Sequence, residues 1–232
     1  MPAYRQILRR CPPQADVVAF IDADEFIVPM DGSNSLEPAL QRWFKDESVS
    51  AVALNWACFG SSGHKFAEQG LVTERFQRRA VQSFTANHHY KSIVRPARVD
   101  SFDNPHHAKL RWGRYIDVRG QDLVLHDKHG KGLSEQTCWE QARINHYAVK
   151  SFEEFLLGKH LRGSAAKEGR IKHRRYFEHH DKNDEVCTLA ADLIPRVKAE
   201  IIHLEQLLAD LPNELIAEPN WSHRIRSWIF HR

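Results

Sequence analysis

The sequence predicts an α/β fold, with a sheet in the first half of the chain and a helical part at its C-terminal end. Three observations carry this prediction. Short runs of β-branched and aromatic residues, such as Val17–Ile21 and Val49–Trp56, are concentrated in the first half. Helical spacing dominates the second half, over 151–162 and 188–210. The length of 232 residues suits one large α/β domain, or such a domain with a helical appendage.

Taken in order, residues 3–10 read as a short basic helix that stops at Cys11-Pro12-Pro13, because proline disfavours helix in the residue before it. Val17–Ile21 is an unbroken apolar run, the pattern of a strand buried on both faces as in a parallel sheet. It ends at Asp22-Ala23-Asp24-Glu25. After a turn at Pro29–Gly32, Ser35 is placed to cap a helix over about 36–46. Val49–Trp56 reads as the next strand, and 58–70 as a glycine-rich loop. Further strands are expected at 71–76, 90–95 and 122–126, with helix from about residue 135.

The composition is that of an ordinary soluble protein, 42% hydrophobic and 27% charged. The net charge of +3 with neutral histidines suits anionic ligands such as diphosphates but falls short of a nucleic-acid binder, so no nucleic-acid partner is expected. Cys11, Cys58, Cys138 and Cys187 form no CxxC pair, which argues against a zinc knuckle or disulfide framework and for a reducing compartment. The N-terminal MPAYRQILRR has no signal-peptide core, and no apolar run approaches the roughly 20 residues that span a bilayer. A cytoplasmic location is expected, extending to the inner face of a membrane.

Three of the four residues Asp22–Glu25 are acidic, at the end of a strand, where open α/β sheets bind ligands. Adjacent carboxylates repel, and a hard divalent cation resolves that conflict, since Mg²⁺ and Mn²⁺ join one or two carboxylates to substrate phosphates. The competing reading is an acidic turn paired with Arg or Lys.

The segment Val18-Ala19-Phe20-Ile21-Asp22-Ala23-Asp24-Glu25-Phe26 resembles the DxD segment of GT-A glycosyltransferases, in the family 2-like and family 92-like group. The resemblance continues in order through Asn55-Trp56, Phe59–His64, Glu74-Arg75-Phe76, Lys91–Pro96, Ile144–Tyr147 and Lys150-Ser151. It implies an incomplete, Rossmann-like mixed GT-A sheet at 1–185 with a helical extension at 186–232. It also implies inverting, metal-dependent transfer of a sugar from a nucleoside diphosphate to the hydroxyl of a carbohydrate or lipid-linked acceptor, as in polysaccharide assembly.

On that resemblance Asp22 lies toward the nucleotide sugar, and Asp24 binds Mn²⁺ or Mg²⁺ with help from Glu25. His146 is the expected late ligand. If its stretch is helical, Lys150 shares its face and meets a phosphate. Glu74 is one candidate base for the acceptor hydroxyl, with a structural Glu–Arg pair the competing reading; Asp181 and Asp184 are weaker options. Gly60–His64 is an expected acceptor lip, in which His64 and Trp56 contact a sugar; a tight surface turn is the alternative. His88-His89 and His106-His107 lack the spacing of a helical zinc site, and His107 falls in a family-like stretch.

Only 21 residues precede Asp22, and the resemblance places the nucleotide-binding half ahead of such a strand. That half is expected to be missing, whether through a truncated gene product, a second chain that completes the fold, or a first half lying outside this sequence. The chain alone is expected to bind nucleoside diphosphate weakly or not at all. Two other readings remain open: a non-catalytic fragment serving as an interaction module, and a metal-dependent phosphohydrolase. Leu189, Leu193, Val197, Ile201, Leu204, Leu208 and Leu211 form a helical apolar stripe, expected to pack against the catalytic domain, with self-association the lesser reading. The tail Trp221–Arg232 mixes aromatic and basic residues, as would suit an anionic membrane surface or a packed helix.

Overall fold

The computed structural model describes residues 2–161 and 171–209. Helix α1 (Pro2–Arg9) leads into strand β1 (Val18–Ala19), a turn over Asp22–Asp24, and strand β2 (Glu25–Pro29). Helix α2 (Glu37–Phe44) precedes the ten-residue strand β3 (Val49–Cys58). Then come α3 (Val72–Arg75), β4 (Arg78–Arg79), β5 (Tyr90–Val94), β6 (Val99–Phe102), β7 (Ala108–Leu110), β8 (Arg114–Asp117), β9 (Leu125–His126), β10 (Gly130–Ser134) and β11 (Ala142–His146). The C-terminal part holds α4 (Phe152–Glu154), which runs on as a π-helical segment over Phe155–His160, then α5 (Arg174–His180), β12 (Glu185–Val186) and α6 (Ile194–Ala209).

The main sheet is mixed, as expected of an α/β fold. Its order is β1-β5-β3-β11-β2, with β8 also against β3. β3 pairs antiparallel with β5 and parallel with β8 and β11, while β2 closes antiparallel on β11. Every residue of β3 is buried. Val52, Leu54, Trp56 and Cys58 join one core layer with Ala39 and Trp43 of α2, while Ala51 joins another around Val94 and Phe102.

The strand order positions the acidic turn. β1 and β2 lie at opposite ends of the sheet, so the chain between them must cross β5, β3 and β11. Glu25 pairs with His146, and His146 pairs with Cys58, which places the crossing at the carboxyl ends of β3 and β11. The Glu25 amide donates to the Asp22 carbonyl to close the turn.

Several expectations are corrected. Val17–Ile21 is not a doubly buried parallel strand: only Val18–Ala19 pairs, antiparallel to β5, and Ile21 is exposed. Its apolar residues serve a helix contact instead, Phe20 stacking on Tyr4 of α1 at 4.1 Å. Residues 72–75 are helix rather than strand, nucleated by the Glu74 carboxylate accepting from the Leu71 amide. The stretch after 135 contains β11 rather than helix. β11 is covered on both faces and carries Arg143, Asn145 and His146 buried, so it shows no alternation to read.

The boundary drawn at 185/186 falls inside β12, which pairs with β4. No helix among the described residues is long and apolar enough to cross a membrane. Leu211 and the tail Trp221–Arg232 lie outside the described residues.

Candidate functional site

The site is built where the turn crosses the sheet edge. The Tyr147 amide, one residue beyond β11, donates to the Asp24 carbonyl at 2.9 Å and pins the turn over the strand end. The Asp24 carboxylate then lies beside the last side chain of β11: His146 Nε2 is 3.9 Å from Asp24 Oδ2. Lys159, from the π-helical segment, places Nζ 2.5 Å from the same oxygen. π-Helical turns recur at functional positions because the extra residue redirects side chains.

His146 is 4% exposed, and burial holds its imidazole well below the ordinary histidine range, aided by the charge of Lys159. Its Nδ1 is buried without a hydrogen-bond partner. A neutral imidazole whose Nε2 faces a carboxylate is a combination able to hold a metal ion, although Nδ1 lacks the partner that usually orients such a ring. Two ligands each about 2.1 Å from one ion stand roughly 3 to 4.2 Å apart, which accommodates the Asp24–His146 separation. Asp24 and His146 therefore fit a divalent cation that completes its shell with phosphate oxygens and water. Among the described residues no group of three or more acidic, His or Cys side chains is arranged to hold a metal alone.

Asp22 and Glu25 are organised differently. Lys91, on β5 and 1% exposed, places Nζ 3.0 Å from Asp22 Oδ2 and 3.4 Å from Glu25 Oε2. Glu25 Oε2 also accepts from the Asp22 amide at 2.9 Å. Burial raises the Glu25 carboxyl to about 7, opposed by Lys91. Glu25 thus faces Lys91 rather than sharing the Asp24–His146 position.

Trp56 lies between imidazoles, its ring 4.0 Å from His146 and stacked on His89 at 4.6 Å, with His106 at 5.3 Å. Its Nε1 is buried and unpartnered. His106 Nδ1 hydrogen-bonds the Tyr90 carbonyl at 3.0 Å, and burial lowers its pKa to about 4. Burial likewise lowers His89. Both are neutral rings that extend the His146 wall. His88 ends a 3-10 helix over Thr85–His88, while His106-His107 lie on a loop where His107 turns away to Tyr90 Oη at 2.7 Å.

The helical face expected to align His146 with Lys150 does not form. His146 ends a strand, and Lys150 adopts φ 56° ahead of Ser151, which caps α4. Burial lowers the Lys150 pKa, while Glu154 and Asp24 favour its charge, so Lys150 shares the field of Asp24 by another route.

The Gly60–His64 loop is fastened from within. Asp181 Oδ1 accepts from the Ser61 amide at 2.7 Å, and Asn183 Oδ1 from the Ser62 amide at 2.7 Å. Ser62 Oγ accepts from Gln77 and Arg78, and Ser61 Oγ from Gly63. His64 pairs with Glu68 at 3.2 Å. Asp184 accepts from the Val81 amide. Glu74 is held by Lys198 at 2.7 Å, which lowers its pKa. Neither Glu74 nor Asp181 contacts Asp24, His146 or Lys159 among the described residues. Sequence reasoning missed Lys159, His89 and His106, and quoted Lys91 without a role. Lys91 lay in a family-like segment, and His89 and His106 stood in histidine pairs weighed only as zinc ligands, so of these residues only Lys159 carried no signal.

No curated protein matches the chain. The model of glycosyltransferase family 92 matches residues 8–131, a span that includes the acidic turn, Trp56, Lys91 and His106. With its acidic turn at the sheet edge and this match over more than half its length, the chain belongs to glycosyltransferase family 92.

Proposed function

We propose that the protein moves a sugar from a nucleoside diphosphate to an acceptor hydroxyl with inversion, using a divalent cation held by Asp24 and His146. The observation that supports this most is the pairing of Asp24 with a buried, neutral His146 whose Nε2 faces the carboxylate. Mn²⁺ or Mg²⁺ bound there supplies Lewis-acid stabilisation for charge developing on the leaving diphosphate.

The chain's own groups do the rest. Lys159 is the nearest ammonium to Asp24, and Lys150 also feels the charge of Asp24 and adds positive potential. Both favour an anionic diphosphate over a neutral ligand. Lys91 holds Asp22 and Glu25, so the turn keeps its shape as the diphosphate arrives and leaves. The Trp56–His89–His106 layer backs His146 with neutral rings that compete with neither metal nor phosphate.

The test is a screen of UDP- and GDP-sugars for Mn²⁺-dependent release of nucleoside diphosphate, with the anomer formed read by NMR. Release that falls at least about a hundredfold in Asp24→Asn, with the anomeric configuration inverted, agrees with the proposal. Equal rates in Asp24→Asn, or a retained configuration, contradict it.

A further inference from the structure

Helix α6 has no role in the site, yet it carries the largest uncovered apolar face among the described elements. None of its 16 residues is buried, and Val197, Ile201, Leu204, Leu207 and Leu208 are all exposed. A helix of this length is marginal in water unless packing covers its apolar side. The spacing of that side is specific. Ile194, Val197, Ile201, Leu204 and Leu208 alternate by three and four residues, the a and d positions of a heptad repeat. Two of the three a positions are isoleucine, the β-branched choice that favours two-stranded pairing.

The charges beside the seam select an orientation. In this register Lys198 and Glu205 occupy e positions, and Glu200 and Leu207 occupy g positions. A parallel pair brings g of one helix to the following e of the other, so Glu200 would face the partner's Glu205. An antiparallel pair brings e to e, so Lys198 faces the partner's Glu205, and two-fold symmetry gives that pair twice. Opposite charges across such a seam fix partner and direction. Lys198 also binds Glu74 of its own chain at 2.7 Å, but it stays half exposed and has three N–H donors to share.

We propose that α6 is a dimerisation helix, pairing antiparallel with α6 of a second copy of this chain through the Ile194–Leu208 stripe. The proposal does not depend on the catalytic reading.

Sedimentation velocity of the full chain at micromolar concentrations tests it, with circular dichroism and the urea midpoint as folding controls. The expected result is a dimer that Leu204→Asp converts to monomer. Glu205→Lys places lysine against the partner's Lys198 and weakens association roughly tenfold, whereas Glu200→Lys leaves it unchanged. A monomeric full chain overturns the proposal, including one that dimerises only after residues 210–232 are removed, since those residues would then cover the stripe. Association tightened by either lysine substitution also overturns it, because that is the parallel outcome.

Discussion

Lys159 and Asp24 are joined across the sheet edge: the ammonium stands 2.5 Å from Oδ2, the oxygen that also faces His146 at 3.9 Å. At the proposed cation site, Lys159 and a divalent cation would compete for one carboxylate oxygen in the free protein. Replacing Lys159 with Met frees Asp24 and should tighten Mn²⁺ binding without nucleotide by about three- to tenfold. It should weaken binding of the Mn²⁺–diphosphate complex, from which one cation is lost. Calorimetric titration with Mn²⁺ alone and then with Mn²⁺ plus pyrophosphate reads both changes, which should have opposite signs.

Buried Glu25 and Lys91, with exposed Asp22 on the same ammonium, make stability depend on pH in a defined direction. Glu25, raised to about 7, is protonated in the fold below that value but ionised in the unfolded chain above about 4.5. Its contribution is fully present at low pH and is lost as pH rises through 7. Lys91→Met removes the cation that favours the carboxylate. The substitution should cost about 3 kcal/mol at pH 8.5 and distinctly less at pH 5.5, where Glu25 is neutral. Urea unfolding at the two pH values measures the difference.

The neutral histidines act in the opposite sense. His106 and His180 are each lowered to about 4 by burial, and His146 lies well below its usual range. Below about pH 6.5 the unfolded chain takes up protons that the fold refuses, so stability falls as pH falls toward 4. Each such histidine steepens the loss by up to about 1.4 kcal/mol per pH unit. His106→Gln should flatten the acid limb of the urea midpoint against pH without changing its alkaline limb.

Asp181 and Gly60 both fasten the 60–64 loop to residues 181–183. Asp181→Ala removes the acceptor for the Ser61 amide and should cost about 1–2 kcal/mol. A Cβ at Gly60 would stand 2.4 Å from the Lys182 carbonyl oxygen, so Gly60→Ala should cost about 1–3 kcal/mol. Thermal unfolding of each variant gives both values.

How legible each part was follows from the reach of the interactions involved. Asp24 could be picked out because a strand and an acidic turn are consecutive in sequence, although the strand that matters most, β2, follows the turn. His146 was chosen by pattern while its strand was read as helix, because a β-strand buried on both faces lacks alternation. The lysine pairing of Asp22 was visible only as the competing reading of an acidic turn, since its partner Lys91 is 69 residues away. Lys159 gave no signal at all: its role depends on a π-helical segment 135 residues beyond Asp24. The heptad in α6 was readable as a stripe, but its exposure, with no cover among the described residues, needed the three-dimensional structure.

The central claim is that His146 and Asp24 hold one divalent cation. Pulsed EPR on the protein loaded with Mn²⁺ and inorganic pyrophosphate tests it directly, because neither additive carries nitrogen. The account predicts a ¹⁴N coupling from one directly bound imidazole, lost in His146→Gln and lost with Mn²⁺ itself in Asp24→Asn. Bound Mn²⁺ with no such coupling, or a coupling that persists in His146→Gln, would contradict it.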